Sequence, residues 1–357
     1  MAEYKLKISK KVIEATDAVS LYFEIPSDAR EKFLKYKAGQ FVGIQADING
    51  EKVVRSYSLS SSPDVDETLS VTLKKVPQGK MSSYLVDQVQ EGESLIVTPP
   101  VGMFTPGSLD RHHILFAAGS GITPIYSMIR SLLKQGAPRV TLIYSNKDEA
   151  SVIFKSTLKQ LEETYPRFSV KWVFTGQAPD WENVSSGRLG TTILERLYLL
   201  WQSPEDPIFY MCGPEGFMEA IEAFLGQKGY DHSQIRKESF VTSASLDLEN
   251  TDDVIVGKTE GQELGPCERL EAEIDFSDVV VTPNENETVL EALLREGFDP
   301  PYSCLEGTCI SCQCIVLEGA IRQPDTGMLM PEDYEDGKTL SCQAIPITKR
   351  LKVRYEF

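Results

Sequence analysis

The chain has 357 residues, a length that predicts two or three domains. Hydrophobic residues make up 41% and charged residues 25%, which is ordinary usage for folded domains and excludes wholesale disorder. The sequence contains no apolar run of about 18 residues, and its N-terminus lacks the apolar core of a secretion signal. We therefore expect a cytoplasmic protein of several domains without a transmembrane segment.

The net charge of −17 is concentrated towards the C-terminus. Residues 1–240 carry 27 basic and 29 acidic side chains (net −2), residues 241–270 carry 2 and 7 (net −5), and residues 271–357 carry 7 and 17 (net −10). This distribution disfavours binding to nucleic acid or to an anionic membrane surface. It would suit docking to a basic patch on a partner protein.

Residues 1–100 alternate between apolar and polar side chains in short segments that glycine and proline separate. Six such segments at this spacing predict an all-β barrel or sandwich. A helical pattern over residues 81–89 interrupts them. The predicted strands are 4–8, 19–25, 41–45, 53–59, 69–76 and 94–98.

From residue 111 onwards the pattern changes to apolar strands that alternate with helices. This alternation predicts an α/β domain with a parallel sheet. Residues 241–270 are polar, acidic and rich in Ser and Gly, which predicts a linker, and residues 271–357 resume a strand pattern with one helix near 289–297. In the α/β region the predicted strands are 114–118, 140–144, 170–174 and 208–211, and the predicted helices 124–134, 153–164, 190–200 and 215–227.

Four of the seven cysteines lie within residues 304–314. Their spacing, Cys-x4-Cys-x2-Cys with a further cysteine thirty residues later, is typical of plant-type ferredoxins that bind a [2Fe–2S] cluster. Gly307 allows the positive φ that such a loop often needs. Structural zinc is the alternative, but it usually shows two Cys-x2-Cys pairs. The predicted cluster ligands are Cys304, Cys309, Cys312 and Cys342, with Cys314 predicted as a buried thiol and Cys267 as an inert one.

A predicted strand in the N-terminal region carries the sequence Arg-Ser-Tyr-Ser. Arg55 and Tyr57 share one face of it, where the guanidinium can neutralise a diphosphate and the phenol ring can lie against a flavin. Ser58, at the strand end, can reach the flavin edge. About twenty residues later Gly-Lys-Met-Ser-Ser opens a helix whose N–H groups would bind the same diphosphate. An ordinary exposed strand is the alternative for the first motif alone. The predicted FAD-binding residues are Arg55, Tyr57, Ser58, Gly79, Met81 and Ser82.

Two further motifs end strands of the α/β region. Residues 119–124 (GSGITP) depart from the dinucleotide fingerprint G-x-G-x-x-G only at the last position. Residues 210–214 (YMCGP) end a later strand, and ligands of open α/β sheets bind at such carboxyl ends. Cys212 is expected near the nicotinamide, with a packing thiol as the alternative. The predicted nicotinamide-dinucleotide site comprises Gly119, Ser120, Gly121, Thr123, Pro124, Cys212, Gly213 and Pro214.

Coenzyme choice depends on the end of the second strand, where an NAD-selective enzyme often has an acidic residue. Ser145, Asn146 and Lys147 stand there instead, and we assign them to the coenzyme site. Lys147 and Arg188 could accept a 2′-phosphate. We therefore expect NADPH in preference to NADH.

These motifs occur in an order that resembles the ferredoxin–NADP reductase superfamily, in the branch with a C-terminal plant-type ferredoxin. The resemblance covers nearly the whole chain. It implies an antiparallel FAD-binding β-barrel over residues 1–107, an α/β NAD(P)-binding domain over 108–240, an acidic linker over 241–270 and a β-grasp [2Fe–2S] ferredoxin domain over 271–357. Residues 238–240 are similar to the family's E-x-F ending, which implies that Phe240 approaches the flavin. The side chains assigned to the reaction centre are Tyr57, Thr123 and Cys212.

The expected activity is electron transfer from NADPH through FAD and the [2Fe–2S] cluster to an external oxygenase or desaturase. Within the branch, the segments around the cysteines are most similar to reductases of phenylacetyl-CoA epoxidase systems, so a diiron partner of that type is expected. Reductases of ketosteroid or ring hydroxylases and of fatty-acid desaturases are alternatives. A redox-sensing regulatory protein is an alternative from another functional class.

Overall fold

The computed structural model describes residues 4–201, 206–238, 240, 253–259, 261–274, 277–298, 300–302, 307, 310–326 and 328–355. The chain divides into two compact units, one ending at Phe240 and the other beginning at Val241. Among the described helices, none combines the length and the apolar character needed to cross a membrane.

The N-terminal part of the first unit is an antiparallel β-barrel. Its strands are β1 (Tyr4–Ala15), β2 (Ala18–Glu24), β3 (Phe41–Ile48), β4 (Glu51–Ser58), β5 (Leu69–Lys74) and β6 (Ser94–Val97). They form one six-stranded sheet in the order β4-β3-β6-β1-β2-β5. A bridge between Leu59 and Val71 joins the two edge strands and so closes the barrel. Inward-facing side chains such as Leu6, Ile8 and Leu21 are fully buried in its core.

Two short helices accompany the barrel, α1 (Arg30–Leu34) and α2 (Lys80–Ser83). The helical pattern predicted over residues 81–89 is only partly α-helical, because a π-helical turn (Tyr84–Gln88) continues α2. The helix ends there because Val89 has extended backbone.

The second part of the first unit is a parallel sheet with helices on both faces. Its strands are β7 (His112–Ala118), β8 (Arg139–Asn146), β9 (Phe168–Phe174), β10 (Val184–Ser186), β11 (Pro207–Cys212) and β12 (Ile235–Glu238). Its helices are α3 (Ile122–Gln135), α4 (Lys155–Thr164), α5 (Thr191–Trp201) and α6 (Glu215–Gln227). All five strand pairings are parallel, in the order β10-β9-β8-β7-β11-β12.

The chain enters this sheet at β7, extends to β10 on one side, and returns to add β11 and β12 on the other. Strands are added in one direction from β7 to β10 and in the opposite direction from β11, so the reversal lies between the neighbouring strands β7 and β11. One hydrophobic cluster packs α3 against the sheet, and another packs α5 and α6 against the opposite face. Open parallel sheets bind ligands at such a reversal, outside the carboxyl ends of the strands.

The second unit has a β-grasp arrangement. Its strands are β13 (Asp253–Gly257), β14 (Arg269–Ile274), β15 (Ser277–Val281), β16 (Gln313–Glu318), β17 (Ala320–Pro324), β18 (Lys338–Leu340), β19 (Ile345–Pro346) and β20 (Arg350–Arg354). Its helices are α7 (Val289–Arg295) and α8 (Pro331–Glu335). A mixed five-stranded sheet has the order β15-β14-β20-β16-β18, in which β14 and β20 run parallel. Helix α7 begins with a capping box between Thr288 and Glu291 and buries Leu290 and Leu293.

The structure differs from the predicted linker over residues 253–259 and 261–270. Strand β13 pairs with β17, and Val256 and Cys267 are buried in the hydrophobic core of the second unit. The short apolar run Val-Ile-Val at residues 254–256 supplies this strand, although acidic residues precede it. Residues 241–252 of the predicted linker lie outside the described residues.

Candidate functional site

Three of the predicted flavin-binding residues, Arg55, Tyr57 and Ser58, lie on the carboxyl half of β4, at the edge of the barrel sheet. Tyr57 is half-buried and packs against the barrel core, in register with Val42 of β3. The Arg55 guanidinium donates a hydrogen bond to its neighbouring carbonyl, that of Val54, at 2.7 Å. Arg55 and Tyr57 are two residues apart on a regular strand, so both side chains leave the same face.

The second flavin motif forms a compact turn before α2. The Ser82 hydroxyl accepts a hydrogen bond from the backbone N–H of Val76 at 3.1 Å, which closes the turn around Gly79. A Cβ on Gly79 would lie 2.5 Å from the Ser82 oxygen, so a larger residue would displace this contact. Met81 and Ser82 are buried. Glycine at position 79 therefore leaves room for the Ser82 contact that closes the turn.

The two dinucleotide motifs meet at the carboxyl edge of the parallel sheet. Gly121, in the turn between β7 and α3, lies so close to β11 that a Cβ would stand 2.1 Å from the carbonyl oxygen of Cys212. A Cβ on Gly213 would lie 2.9 Å from that of Ala118. Gly119 adopts a φ of 53° in the same turn. Only glycine permits these approaches, and they leave backbone exposed for a diphosphate. Ser120 lies in this turn and Pro214 directly precedes α6.

The two side chains expected at the reaction centre of this motif pair are buried. The Thr123 hydroxyl donates to the backbone carbonyl of Ser120 at 3.1 Å, which stabilises the turn before α3. The Cys212 side chain has no exposed surface and belongs to the core that packs against α3. Burial, reinforced by the negative charge of Glu238, raises the pKa of the Cys212 thiol. In this structure the Cys212 side chain is therefore a buried, protonated thiol, while its backbone lines the sheet edge.

The residues assigned to coenzyme choice occupy the ends of neighbouring strands. Lys147 directly follows β8, and Arg188 follows β10; both are exposed. The backbone N–H of Gly176 donates to the Lys147 carbonyl at 2.9 Å, and that of Gly187 to the Phe174 carbonyl at 2.8 Å. The ends of β8, β9 and β10 are therefore tied together, with the two cations at the same edge. Ser145 and Asn146 are buried in β8.

Glu238 is a site residue that sequence reasoning from spacing did not single out. It ends β12, in register with Cys212, and its carboxylate accepts a hydrogen bond from the Ser58 hydroxyl at 3.2 Å. Burial of the carboxyl group raises its pKa to about 8, and the hydrogen bond from Ser58 opposes that shift. The contact joins the flavin strand β4 to the edge that carries the dinucleotide motifs. The signal for Glu238 in the sequence is the Glu-x-Phe ending. Phe240, the last residue of that motif, is partly exposed.

In the second unit, the structure describes two of the four predicted cluster ligands. Cys312 and Cys342 are buried in one small cluster with Leu290, Leu329 and Leu340. The backbone N–H and the hydroxyl of Ser341 both donate to the Cys312 carbonyl, at 3.0 and 2.9 Å. The remaining ligand positions, Cys304 and Cys309, lie outside the described residues, so no convergent set of three metal-ligating side chains occurs within the described part.

The surroundings of these cysteines suit an iron–sulfur cluster. The Gln343 side-chain amide donates to the Cys342 sulfur at 3.6 Å, a contact that favours an anionic sulfur. Gly307 has a φ of 70°, as expected, and a Cβ there would lie 2.8 Å from the Gln343 side chain. Cys314 is buried on β16, and burial raises the pKa of its thiol well above the usual range. The exclusion of Cys314 from the ligand set stays a prediction, which the cysteine substitutions below test.

Substitution of single cysteines separates ligands from packing thiols. We expect Cys304→Ala, Cys309→Ala, Cys312→Ala and Cys342→Ala each to lower the content from about two irons per chain to nearly none, because each removes one of four ligands. Iron and acid-labile sulfide assays of anaerobically purified protein measure this. The matched control is Cys314→Ala, which should retain iron; loss of iron from that variant and retention in Cys312→Ala would contradict the assignment.

The Ser58–Glu238 contact predicts a titration in flavin reduction. We expect a plot of the single-turnover rate constant of flavin reduction against pH to show an inflection at an apparent pKa near 8. This inflection should disappear in Glu238→Gln, which cannot titrate. Because the hydrogen bond from Ser58 lowers the pKa of Glu238, Ser58→Ala should move the inflection to higher pH. Stopped-flow absorbance between pH 6 and about 10 measures both effects. An inflection that persists unchanged in Glu238→Gln assigns it to another group.

Three family models match the chain in the order of its motifs. They are an oxidoreductase FAD-binding domain over residues 5–105, an oxidoreductase NAD-binding domain over 115–223 and a 2Fe-2S iron-sulfur cluster binding domain over 272–346. Among solved structures, phthalate dioxygenase reductase matches 99% of this chain and 98% of its own, with a TM-score of 0.63 and 20% identity. That likeness shows the same fold over the full length.

Curated relatives extend the match to sequence. The ferredoxin reductase component of 3-ketosteroid-9-alpha-monooxygenase from Rhodococcus rhodochrous is 36% identical over 354 residues, which cover 98% of this chain and 96% of the relative. A component of the 1,2-phenylacetyl-CoA epoxidase of Escherichia coli (strain K12) is 28% identical over 372 residues, 99% of this chain and 98% of the relative. The segments around the cysteines had suggested greater similarity to phenylacetyl-CoA epoxidase reductases. Over the full length, the ketosteroid monooxygenase reductase is the more similar of the two.

Full-length similarity and three successive cofactor-domain matches agree with the folds of the two units. The barrel corresponds to the FAD-binding model, the parallel sheet to the NAD-binding model and the β-grasp unit to the 2Fe–2S model. The chain therefore belongs to the ferredoxin reductase superfamily, in the group with a C-terminal 2Fe–2S domain, and is an oxidoreductase of that type.

Proposed function

We propose that the chain is a cytoplasmic NAD(P)H-dependent reductase that delivers electrons to an oxygenase. The observation that carries this proposal is the Ser58–Glu238 hydrogen bond of 3.2 Å, since it brings the flavin strand against the edge where the nicotinamide motifs meet. A hydride can pass only between rings in contact, so the two cofactor sites must share a boundary. The 2Fe–2S unit supplies the one-electron outlet.

When bound, FAD exchanges a hydride with the nicotinamide and single electrons with the [2Fe–2S] cluster. The chain's own residues bind and orient. Arg55 offers a cation to the FAD diphosphate, and Tyr57 offers a ring face beside it. The turn at residues 119–123 accommodates the dinucleotide diphosphate on backbone N–H groups.

Two groups at the shared boundary control protons and water. Glu238 is protonated at pH 7 because burial raises its pKa to about 8, so its carboxyl holds a proton beside the Ser58 hydroxyl. The neutral form places no negative charge beside the flavin edge. Cys212, fully buried and protonated, fills the space under the sheet edge and excludes water from it.

For the electron acceptor, the comparisons favour a ketosteroid-hydroxylating monooxygenase. Three reductase components of 3-ketosteroid-9-alpha-monooxygenases are 33–36% identical across at least 96% of their length. A phenylacetyl-CoA epoxidase is the second candidate, supported by a relative with 28% identity over 98% of its length. Glycine betaine monooxygenase reductases, at 29% identity over 85% of their length, support an oxygenase partner in general.

An anaerobic visible spectrum tests the reductase function. We expect flavin and iron–sulfur bands that both bleach on addition of NADPH, because the electrons pass from flavin to cluster. Addition of the oxidised oxygenase component of a 3-ketosteroid monooxygenase should restore them faster than the epoxidase components do. Bands that do not bleach with either nicotinamide would refute the reductase function. Bleaching without fast repeated turnover of an artificial acceptor would instead favour a redox sensor.

Lys147 and Arg188 supply a test of coenzyme preference. We expect the double variant Lys147→Ala/Arg188→Ala to weaken NADPH binding about tenfold or more, since charge-assisted contacts to a 2′-phosphate are lost. NADH binding should change by less than about twofold, because NADH carries no such phosphate. Equilibrium titrations of both coenzymes measure this. Equal weakening of NADPH and NADH binding would contradict the assignment.

A further inference from the structure

The loop that follows the flavin strand lies along helix α3. Residues 59–66 leave β4 directly after Ser58 and return to the barrel at β5. The loop is fixed to the barrel by several contacts. The Leu59 N–H donates to the Gln40 carbonyl at 2.9 Å, and the Ser61 hydroxyl accepts from the Tyr36 hydroxyl at 2.8 Å and from the Ser70 N–H at 3.0 Å.

Helix α3 meets this loop with polar side chains from three successive turns. The Ser127 hydroxyl donates to the Ser61 carbonyl at 2.5 Å, and Ser127 is fully buried. Further along, the Ser131 hydroxyl donates to the Asp64 carboxylate, which also accepts from the Gln135 amide at 2.9 Å. Positions 127, 131 and 135 are four residues apart, so they form one stripe on the helix.

Between these contacts stands a bidentate ion pair. The two terminal nitrogens of Arg130 donate to the two oxygens of Asp66, at 2.6 and 2.7 Å. The side chains are only 18% and 24% exposed, so water screens the pair weakly. Asp66 also accepts from the Ser62 N–H at 2.8 Å, which orients its carboxylate within the loop.

The guanidinium of Arg130 is held from the other side as well. It lies over the Tyr126 ring at 5.2 Å, and that ring stacks on Phe154 at 4.0 Å between centroids. The Arg130 guanidinium is thus oriented by the Tyr126 ring on its own helix and by Asp66 on the loop. We call the contacts of Asp64 and Asp66 with Arg130, Ser131 and Gln135 the interdomain clamp.

The interdomain clamp connects two segments that each lead to a cofactor site. Its loop begins directly after Ser58 of the flavin strand, and α3 begins directly after Gly121 of the dinucleotide turn. Hydrogen bonds fix the loop to the barrel, and α3 is a regular helix, so a displacement at the ion pair would pass along both segments. A shift of α3 relative to the loop would therefore change the separation between the flavin and nicotinamide sites.

We propose that the Asp66–Arg130 ion pair is a positioning device for hydride transfer, which sets the distance and angle between the nicotinamide and the flavin. This inference rests on the proposed reductase function and adds to it a control point outside both cofactor sites. Asp66 and Arg130 touch neither cofactor motif; they act through β4 and α3. Loss of the pair should slow the hydride step and leave the binding of each cofactor in place.

The experiment compares Asp66→Asn, Arg130→Gln and the conservative Arg130→Lys with the wild-type holoprotein. Stopped-flow absorbance gives the limiting rate constant of flavin reduction at saturating NADPH and the apparent dissociation constant separately. We expect Asp66→Asn and Arg130→Gln to lower the rate constant about tenfold or more, since small misplacements of reacting groups have large effects. Arg130→Lys, which keeps charge and loses the fork geometry, should lie between. FAD content and the dissociation constant should stay within about twofold of wild type.

A matched control and a second measurement keep the test decisive. Glu195→Gln removes an ion pair with Lys228 that joins α5 to the end of α6, away from the clamp, and should leave the rate constant unchanged. Hydrogen exchange of amides 119–125, about two turns from the pair, should accelerate in Asp66→Asn and not in Glu195→Gln. Wild-type reduction rates in Asp66→Asn, or equal losses in the control, overturn the proposal. Absence of flavin reduction in the wild type would instead overturn the reductase function.

Discussion

Close approach of two backbones at the carboxyl edge of the parallel sheet is the constraint on which the site depends. Gly121 stands where a Cβ would lie 2.1 Å from the Cys212 carbonyl, and Gly213 where one would lie 2.9 Å from Ala118. No side chain fits either place. The turn after β7 and the end of β11 can therefore form one crevice only if both motifs carry glycine. For this reason the two motifs together indicate a dinucleotide site more strongly than either does alone.

A second constraint is the seam between barrel and sheet within the first unit. Besides the Ser58–Glu238 contact, the Arg236 guanidinium donates to the Thr105 carbonyl at 2.7 Å and the Tyr210 hydroxyl accepts from the Gly107 N–H at 2.8 Å. Each such hydrogen bond contributes on the order of 1 kcal/mol to the stability of the fold. Their importance for the site is that all three join the barrel to the parallel sheet. They hold β11 and β12 against β4 and against residues 105–107, which follow the barrel, while the interdomain clamp holds α3.

The parts of the site that could be predicted from the sequence are those where local chemistry alone demands a residue. Glycine turns at strand ends and cysteines at ferredoxin spacing are visible because backbone geometry and metal ligation tolerate few substitutes. Period and alternation indicated the barrel and the parallel α/β sheet, whereas the β-grasp class of the third domain followed from the family resemblance. Several element boundaries were accurate to within a few residues, as for the helix expected over 215–227 and observed over Glu215–Gln227.

The parts that escaped prediction depend on contacts between distant residues. Glu238 lies 180 positions from Ser58, and Arg130 lies 64 from Asp66. The Glu-x-Phe ending marks the position of Glu238 but not its partner, and nothing local distinguishes Asp66 from an ordinary surface carboxylate. Strand β13 was hidden for a related reason, since its three apolar residues gain their partner only from β17, more than sixty residues later.

The charge of the second unit bears on why the acceptor was harder to predict than the reaction. Residues 271–357 carry a net charge of −10, and α8 exposes Glu332 and Glu335. Such a field accelerates encounter with any basic partner but discriminates poorly between partners of similar charge. Discrimination requires short-range contacts, and next to a ligand position the exposed side chain is Ile310, an apolar residue. Neither the charge distribution nor the short motifs shared across the family specify such contacts, so these features indicate the reaction more readily than the partner.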